Sequence, residues 1–174
     1  MPIYAFEGRR PLIDSLAWVA PSAYLIGDVR IGPRAYIGWG AILRADHGTI
    51  IVEEGSAVEE GVIVHTSSGF VSRIGRQVTL GHGAMLHDAT IKDYAVVGIR
   101  ATLSNRSVVG RWAIVGEAAL LREDQEVPDE SIAVGAPVKI IGTIQERHKE
   151  RWLDGKRRYQ EFTQRNQKGL KRIE

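Results

Sequence analysis

Three histidines, His65, His82 and His87, fall within 23 residues of a 174-residue chain that has five histidines and no cysteine. Neutral imidazole is the commonest side-chain ligand of divalent transition metals, and without thiolates any such site here must be built from histidine and carboxylate. Three imidazoles that leave a fourth position open are the ligand set that activates water on zinc. The competing reading is three unrelated surface histidines, and the fold decides between the two. Other chemistries lack their signatures: there is no Gly-x-x-x-x-Gly-Lys nucleotide loop and no Gly-x-Ser-x-Gly elbow, and Gly81-His82-Gly83 reads as a turn.

The elements that must position these side chains follow from a period of six. Aliphatic residues mark it at Ile31, Ile37 and Leu43, at Val52, Val58 and Val64, at Ile74, Leu80 and Leu86, and from Ile91 through Val97, Leu103, Val109 and Val115 to Leu121. Small residues or Val stand two before most marks, as Ala35, Ala41, Ala84 and Ala95 do, and Gly often follows one, as at Gly38, Gly81 and Gly98. Six is even, so short strands keep the same side chains inward while a turn intervenes in every repeat. The glycines are expected to supply positive φ for those turns, and the small residues to relieve crowding in a narrow interior. A helix would repeat every 3.6 residues, and β-branched residues dominate the marks, so the elements are strands. Spacings of nine between Leu43 and Val52 and of ten between Val64 and Ile74 predict protruding loops near 44–49 and 66–73. The coil ends at Gly135-Ala136-Pro137. Beyond it Ile144, His148 and Trp152 lie four apart, with Tyr159 and Phe162 extending the stripe. That spacing predicts an α-helix packed on the outside, interrupted at Asp154-Gly155, with His148 a packing or surface residue. The domains are then 1–140 for the coil and 141–174 for the helical segment.

This period resembles that of the hexapeptide-repeat superfamily, and Gly135-Ala136-Pro137 resembles its Gly-x-Pro-Ala-Lys exit, with Val138 in place of Ala before Lys139. The resemblance implies an all-β solenoid, a left-handed parallel β-helix with three hexapeptides per turn. The handedness comes from the resemblance alone, since parallel crossovers are in general right-handed. On such a three-sided prism, with 66–73 an insertion, His65 and His87 follow marks three repeats apart. They then share one side, one coil above the other, about 4.8 Å apart in backbone. His82 lies on the preceding side. Three-fold packing of prisms would bring a neighbour's His82 opposite the pair.

The stretch Leu80-Gly-His-Gly-Ala-Met-Leu-His87, with Val62-Ile-Val-His65 upstream, resembles the γ-carbonic-anhydrase-like family, including its carnitine-operon and phenylacetate-degradation branch, and the likeness covers nearly the whole chain. It implies a homotrimer in which His65 and His87 of one subunit and His82 of the next hold Zn2+, with Co2+ or Fe2+ as alternatives. Ile42-Leu-Arg-Ala-Asp46 resembles the family's Leu-Arg-x-Asp segment, whose Arg44 and Asp46 would pair across the subunit interface; the other reading is an exposed loop pair. Glu59, six before His65, stands where many members carry Gln. A carboxylate there could take a proton from water, would also raise that water's pKa by its charge, or could point to solvent at a coil corner. His47 stands where a well-studied anhydrase of this class has an acidic residue associated with proton transfer, a task that suits imidazole. Tyr159 matches a tyrosine of the C-terminal helix that enters the site in some relatives.

The activity so implied is that of a zinc-dependent carbonic-anhydrase-like lyase acting on CO2, bicarbonate or a related small electrophile. The alternatives are a hexapeptide-repeat acyl-CoA thioesterase or acyltransferase, and a non-catalytic zinc-binding accessory protein. Composition narrows the setting: 44% hydrophobic and 25% charged residues describe a globular chain with a real core. No apolar run approaches the roughly 20 residues of a membrane span, and Met1–Arg10 lacks the pattern of a signal peptide, so a cytoplasmic protein without a membrane partner is expected. The net charge of +2 is uneven, with ten Lys/Arg against five Asp/Glu in residues 145–174. Acidic residues are interspersed and no motif that reads nucleic acid is present, so this is a solvated helix and no nucleic-acid partner is expected.

Overall fold

The computed structural model describes residues 2–173. Strands as short as two residues carry most of the aliphatic marks, and parallel pairing stacks them into three inward ladders. One runs from Leu25 through Leu43, Val64 and Leu86 to Leu121. A second runs from Ile31 through Val52, Ile74 and Ile91 to Val127. The third runs from Val19 through Ile37, Val58 and Leu80 to Ala133. These ladders make three sides of a left-handed parallel β-solenoid of about 7 turns. The interior is too narrow for large side chains at its corners, and Ala23, Ala41, Ala84 and Ala101 fill them without exposed surface.

Glycine acts differently from the expectation. Positive φ recurs three residues after a mark, at Gly40, Gly61 and Gly83 but equally at Arg34, Tyr94, Arg100 and Trp112. A side chain there costs about 1–2 kcal/mol, and corner amides find carbonyls on the preceding coil, as Tyr94 N does on Arg76 at 2.8 Å and Arg100 N on His82 at 2.9 Å, while Gly40 N donates to Ser22 Oγ at 3.0 Å. The glycines directly after the marks answer to crowding: a Cβ at Gly98 would meet the carbonyl carbon of Gly116 at 2.5 Å.

The first predicted loop does not form. Ile42–Val52 is one strand that passes from the first side to the second, pairing with strand Tyr24–Ile31 on both sides of a register shift between Gly27 and Val29 that takes up its extra residues. The second insertion does leave the coil, and the chain re-enters as strand Val71–Ile74. It lies over Gly48, where a Cβ would meet the carbonyl oxygens of Ser67 and Phe70 at 2.5 Å. The two breaks in the period are therefore one packed feature.

Strand Lys139–Thr143 runs antiparallel to Ser131–Val134 and closes the coil. Helix α1, Glu146–Gly169, follows, its first turn closed by the amide of Gln145 donating to His148 Nδ1 at 3.0 Å. The helix continues through Asp154-Gly155, contrary to the expected interruption. Glycine costs a helix about 1 kcal/mol, and packing on the third side outweighs that. Helix residues rise about 1.5 Å each and coils are about 4.8 Å apart, so α1 descends the prism as the coil climbs it. Lys149 reaches Glu130, Lys156 reaches Thr79, Tyr159 meets Tyr36, and Gln167 reaches the carbonyl of Ala17. The docked face is Lys156, Tyr159 and Thr163; Phe162, on the expected stripe, stays exposed. No helix among the described residues is long and apolar enough to cross a membrane.

Candidate functional site

His65 and His87 end strands Ile63–His65 and Met85–His87, which pair in register residue for residue. Strand alternation turns Val64 and Leu86 inward, so both imidazoles stand on the outer face of the first side, half-buried. Their ring centroids are 4.9 Å apart. Arg44 is the next residue in this column, paired to His65 on the coil before.

Each imidazole has an acidic or amide neighbour. Asp46 Oδ1 lies 3.3 Å from His65 Nε2, and Asp46 Oδ2 accepts from Arg44 Nη1 at 2.7 Å. Burial would raise the Asp46 carboxyl, but hydrogen bonding to its own backbone, Arg44 and His65 together hold it below its usual range. Burial first, then the Arg44 charge, hold His65 below its ordinary value, which favours the neutral, ligating form. His87 Nδ1 faces Asn105 Oδ1 at 2.7 Å and Asp88 Oδ2 at 3.5 Å. Both partners are acceptors, so Nδ1 carries the proton and Nε2 presents its lone pair. Asp88 is itself fixed by the amide of Ser67, 2.7 Å from Oδ1, which ties the inserted loop to the His87 corner.

His82 is elsewhere. It follows strand Thr79–Leu80 of the third side, exposed at the corner before the first side, with Nε2 3.2 Å from Glu59 Oε2 and Nδ1 2.8 Å from Glu60 Oε2. Among the described residues no group of three or more His, Asp or Glu side chains is arranged to hold a metal within one chain. The chain thus brings His65, His87, Arg44 and Asp46 together and leaves His82 with Glu59, one corner away.

Glu59 is buried, contrary to the reading that turns it to solvent. The backbone amide of His82 donates to its Oε2 at 3.2 Å, and the Tyr159 hydroxyl donates to it from α1. Burial pushes the Glu59 carboxyl up, while Tyr159 and His82 pull it down by less. The Tyr36 hydroxyl donates to Glu60 Oε1 at 2.7 Å, and the rings of Tyr36 and Tyr159 meet edge-on at 5.1 Å. His47 is exposed and packs edge-on to Phe6 at 6.0 Å between centroids, apart from the other histidines. Asn105, Asp88 and Glu60 escape a reading by residue type. Asn105 stands eighteen residues, one turn of three hexapeptides, after His87, and counting turns from His87 finds it.

No protein-family profile matches the chain. It is 33% identical over 170 residues to the carnitine operon protein CaiE of a Proteus species, which covers 98% of this chain and 86% of that one. It is 35% identical over 139 residues to the mitochondrial γ carbonic anhydrase 1 of Arabidopsis thaliana, covering 76% of this chain and 50% of the plant protein. A hexapeptide transferase family protein from Anaplasma phagocytophilum has the same fold, with a TM-score of 0.89 at 30% identity over 94% of this chain and 96% of that one. With the coil, the two stacked histidines and these relatives in agreement, the chain belongs to the γ-carbonic-anhydrase-like family of hexapeptide-repeat proteins, alongside the carnitine operon proteins CaiE.

Proposed function

We propose that the protein is a carbonic-anhydrase-like enzyme that works as a homotrimer, with CO2 and bicarbonate as substrate and product. His65 and His87 of one subunit and His82 of the next would hold a divalent zinc. The observation that carries this reading is the in-register pair of outward imidazoles 4.9 Å apart, with a third histidine one corner away and out of their reach in the same chain. The donor set fits the metal: His87 is held with Nε2 free, and burial keeps His65 neutral. Zinc bound by three imidazoles supplies a Lewis acid that brings the pKa of water down to about 7. The chain's own groups do the rest. Asp46 orients His65, Asn105 and Asp88 orient His87, and Glu59, between His82 and Tyr159, is the buried carboxylate beside the third ligand and the acceptor for a proton leaving the site.

The first side also supports association. Its outer column beside the histidines runs Tyr24, Ile42, Ile63 and Met85, and Tyr24 and Met85 are 43% and 47% exposed. An apolar ladder flanking two thirds of a ligand set is covered when a second copy delivers His82. A second reading, acyl transfer or thioester cleavage on an acyl-CoA, is supported by the transferase name of the Anaplasma structure.

The test is metal content and CO2 hydration of protein purified without chelators. About one zinc, cobalt or iron per chain is expected, together with hydration activity that His87→Ala abolishes. Protein without metal after purification with iron and zinc supplied would sink the reading. Metal-loaded protein that cleaves acyl-CoA but does not hydrate CO2 would favour the second.

A further inference from the structure

Three charged residues expose less than a tenth of their surface among the described residues: Glu59 at 6%, Asp88 at 5% and Lys156 at 2%. Asp88 is accounted for by Ser67 and His87. The other two carry opposite charges and enter one seam, between α1 and the third side. Glu59 follows strand Ala57–Val58 and stands in a column whose members on the adjacent coils, Gly38 and Gly81, have no side chain. Lys156 comes from the helix, with Nζ 3.1 Å from Thr79 Oγ1, and Thr79 pairs with Ala57, two residues before Glu59. Tyr159, three residues after Lys156 on the same helix, is bonded to Glu59. An ammonium has three donors and Thr79 satisfies one, so burial of this lysine calls for a counter-charge. Burial draws Lys156 down to about 7, and the Glu59 charge opposes that fall.

We propose that Lys156 is the counter-charge of Glu59, acting across the seam from α1, and that it is a positioning residue which keeps this carboxylate buried against His82. The two buried charges keep each other in place at reduced polarity, where attraction is weakly screened. Helix α1 thereby contributes the cation as well as the Tyr159 hydroxyl to the surroundings of Glu59, whose other neighbours are Glu60, Tyr36 and His82. The inference goes beyond the proposed activity and needs no bound metal.

A double-mutant cycle on the full chain tests it, with melting temperatures read at pH 6.5, both as purified and after chelation. Lys156→Met and Glu59→Gln should each leave one buried charge unopposed. The double variant should melt above the sum of the two single effects by roughly 5 °C. The same cycle between Lys156→Met and Thr163→Val, where Thr163 shares the docked face of α1 but carries no charge to oppose Lys156, should be additive. Additive Lys156 and Glu59 effects, or equal coupling in both cycles, would overturn the proposal. Metal content does not enter the readout, so failure here is separable from failure of the anhydrase reading.

Discussion

His87 shows how much a proposed ligand depends on a neighbour of unremarkable type. Asn105 is not a metal-binding residue, yet its Oδ1, 2.7 Å from His87 Nδ1, selects the tautomer that frees Nε2. Asn105→Leu should weaken zinc binding by about 10- to 100-fold with the melting curve little changed, whereas Asn105→Asp, which keeps an acceptor, should not; competition titration with a chelator measures both. Lys156 makes a prediction about pH. Its folded pKa is drawn from 10.5 to about 7, mainly by burial. The unfolded chain therefore binds the extra proton over that window, and stability rises with pH from about 7. The phenols of Tyr36 and Tyr159, pushed up chiefly by burial, oppose this once unfolded tyrosine ionises near pH 10. Melting temperature should accordingly climb between about pH 7 and 9, with a smaller slope in Lys156→Met; equal slopes in the two proteins would contradict the assignment. Ligand-type residues were legible one by one in the sequence. Asn105 and Lys156 were not, because their roles come from what faces them across a coil or a helix seam.

At the scale of elements, period six identified strands correctly, since inward aliphatics at even spacing suit nothing else, and spacing by four found α1. Where the period broke, spacing showed only that residues were extra. The nine-residue step became continuous strand because the neighbouring strand Tyr24–Ile31 pairs with both its ends across a register shift, while the ten-residue step became the loop that packs on Gly48. Gly48→Ala is expected to force that loop outward, since two carbonyl oxygens lie 2.5 Å from the new Cβ. Through the bond from Ser67 to Asp88 it should also disturb His87. Stability should fall by more than about 1 kcal/mol, with zinc affinity reduced as well; denaturant unfolding and metal titration read the two effects. Asp154-Gly155 misled the reading of α1 because local propensity of order 1 kcal/mol is smaller than what a docked helix face contributes.

For the whole molecule, one chain presents the His65 and His87 pair and, a corner away, a His82 that belongs to a different neighbourhood. His82→Ala and His87→Ala should each abolish metal binding alone. In a cyclic trimer of mixed chains, a junction that sets the His65/His87 side of the first variant against His82 of the second is complete. Random refolding of equal amounts should therefore restore roughly a quarter of the sites. Mixed trimers verified by mass that bind no more metal than either variant would refute a shared site. Replacing Met85 in the apolar ladder with Lys should dissociate the proposed trimer and lose metal together, read by light scattering and metal analysis.

What the sequence alone determined is the set of properties that repeat along the chain: the strand period, the inward aliphatic ladders, the stacking of His65 over His87, and the likeness to the γ-carbonic-anhydrase-like family. All of these depend on spacing, which a linear string records. Tertiary structure alone decided that Glu59 is buried, that Tyr159 reaches it and Lys156 reaches Thr79 from a helix some hundred residues later, that Asn105 sets the tautomer of His87, and that the two breaks form one packed feature. Except for Asn105, one turn after His87, those are contacts between positions with no common period, and their energies arise from burial and hydrogen bonding that exist only after the coil has closed and α1 has docked.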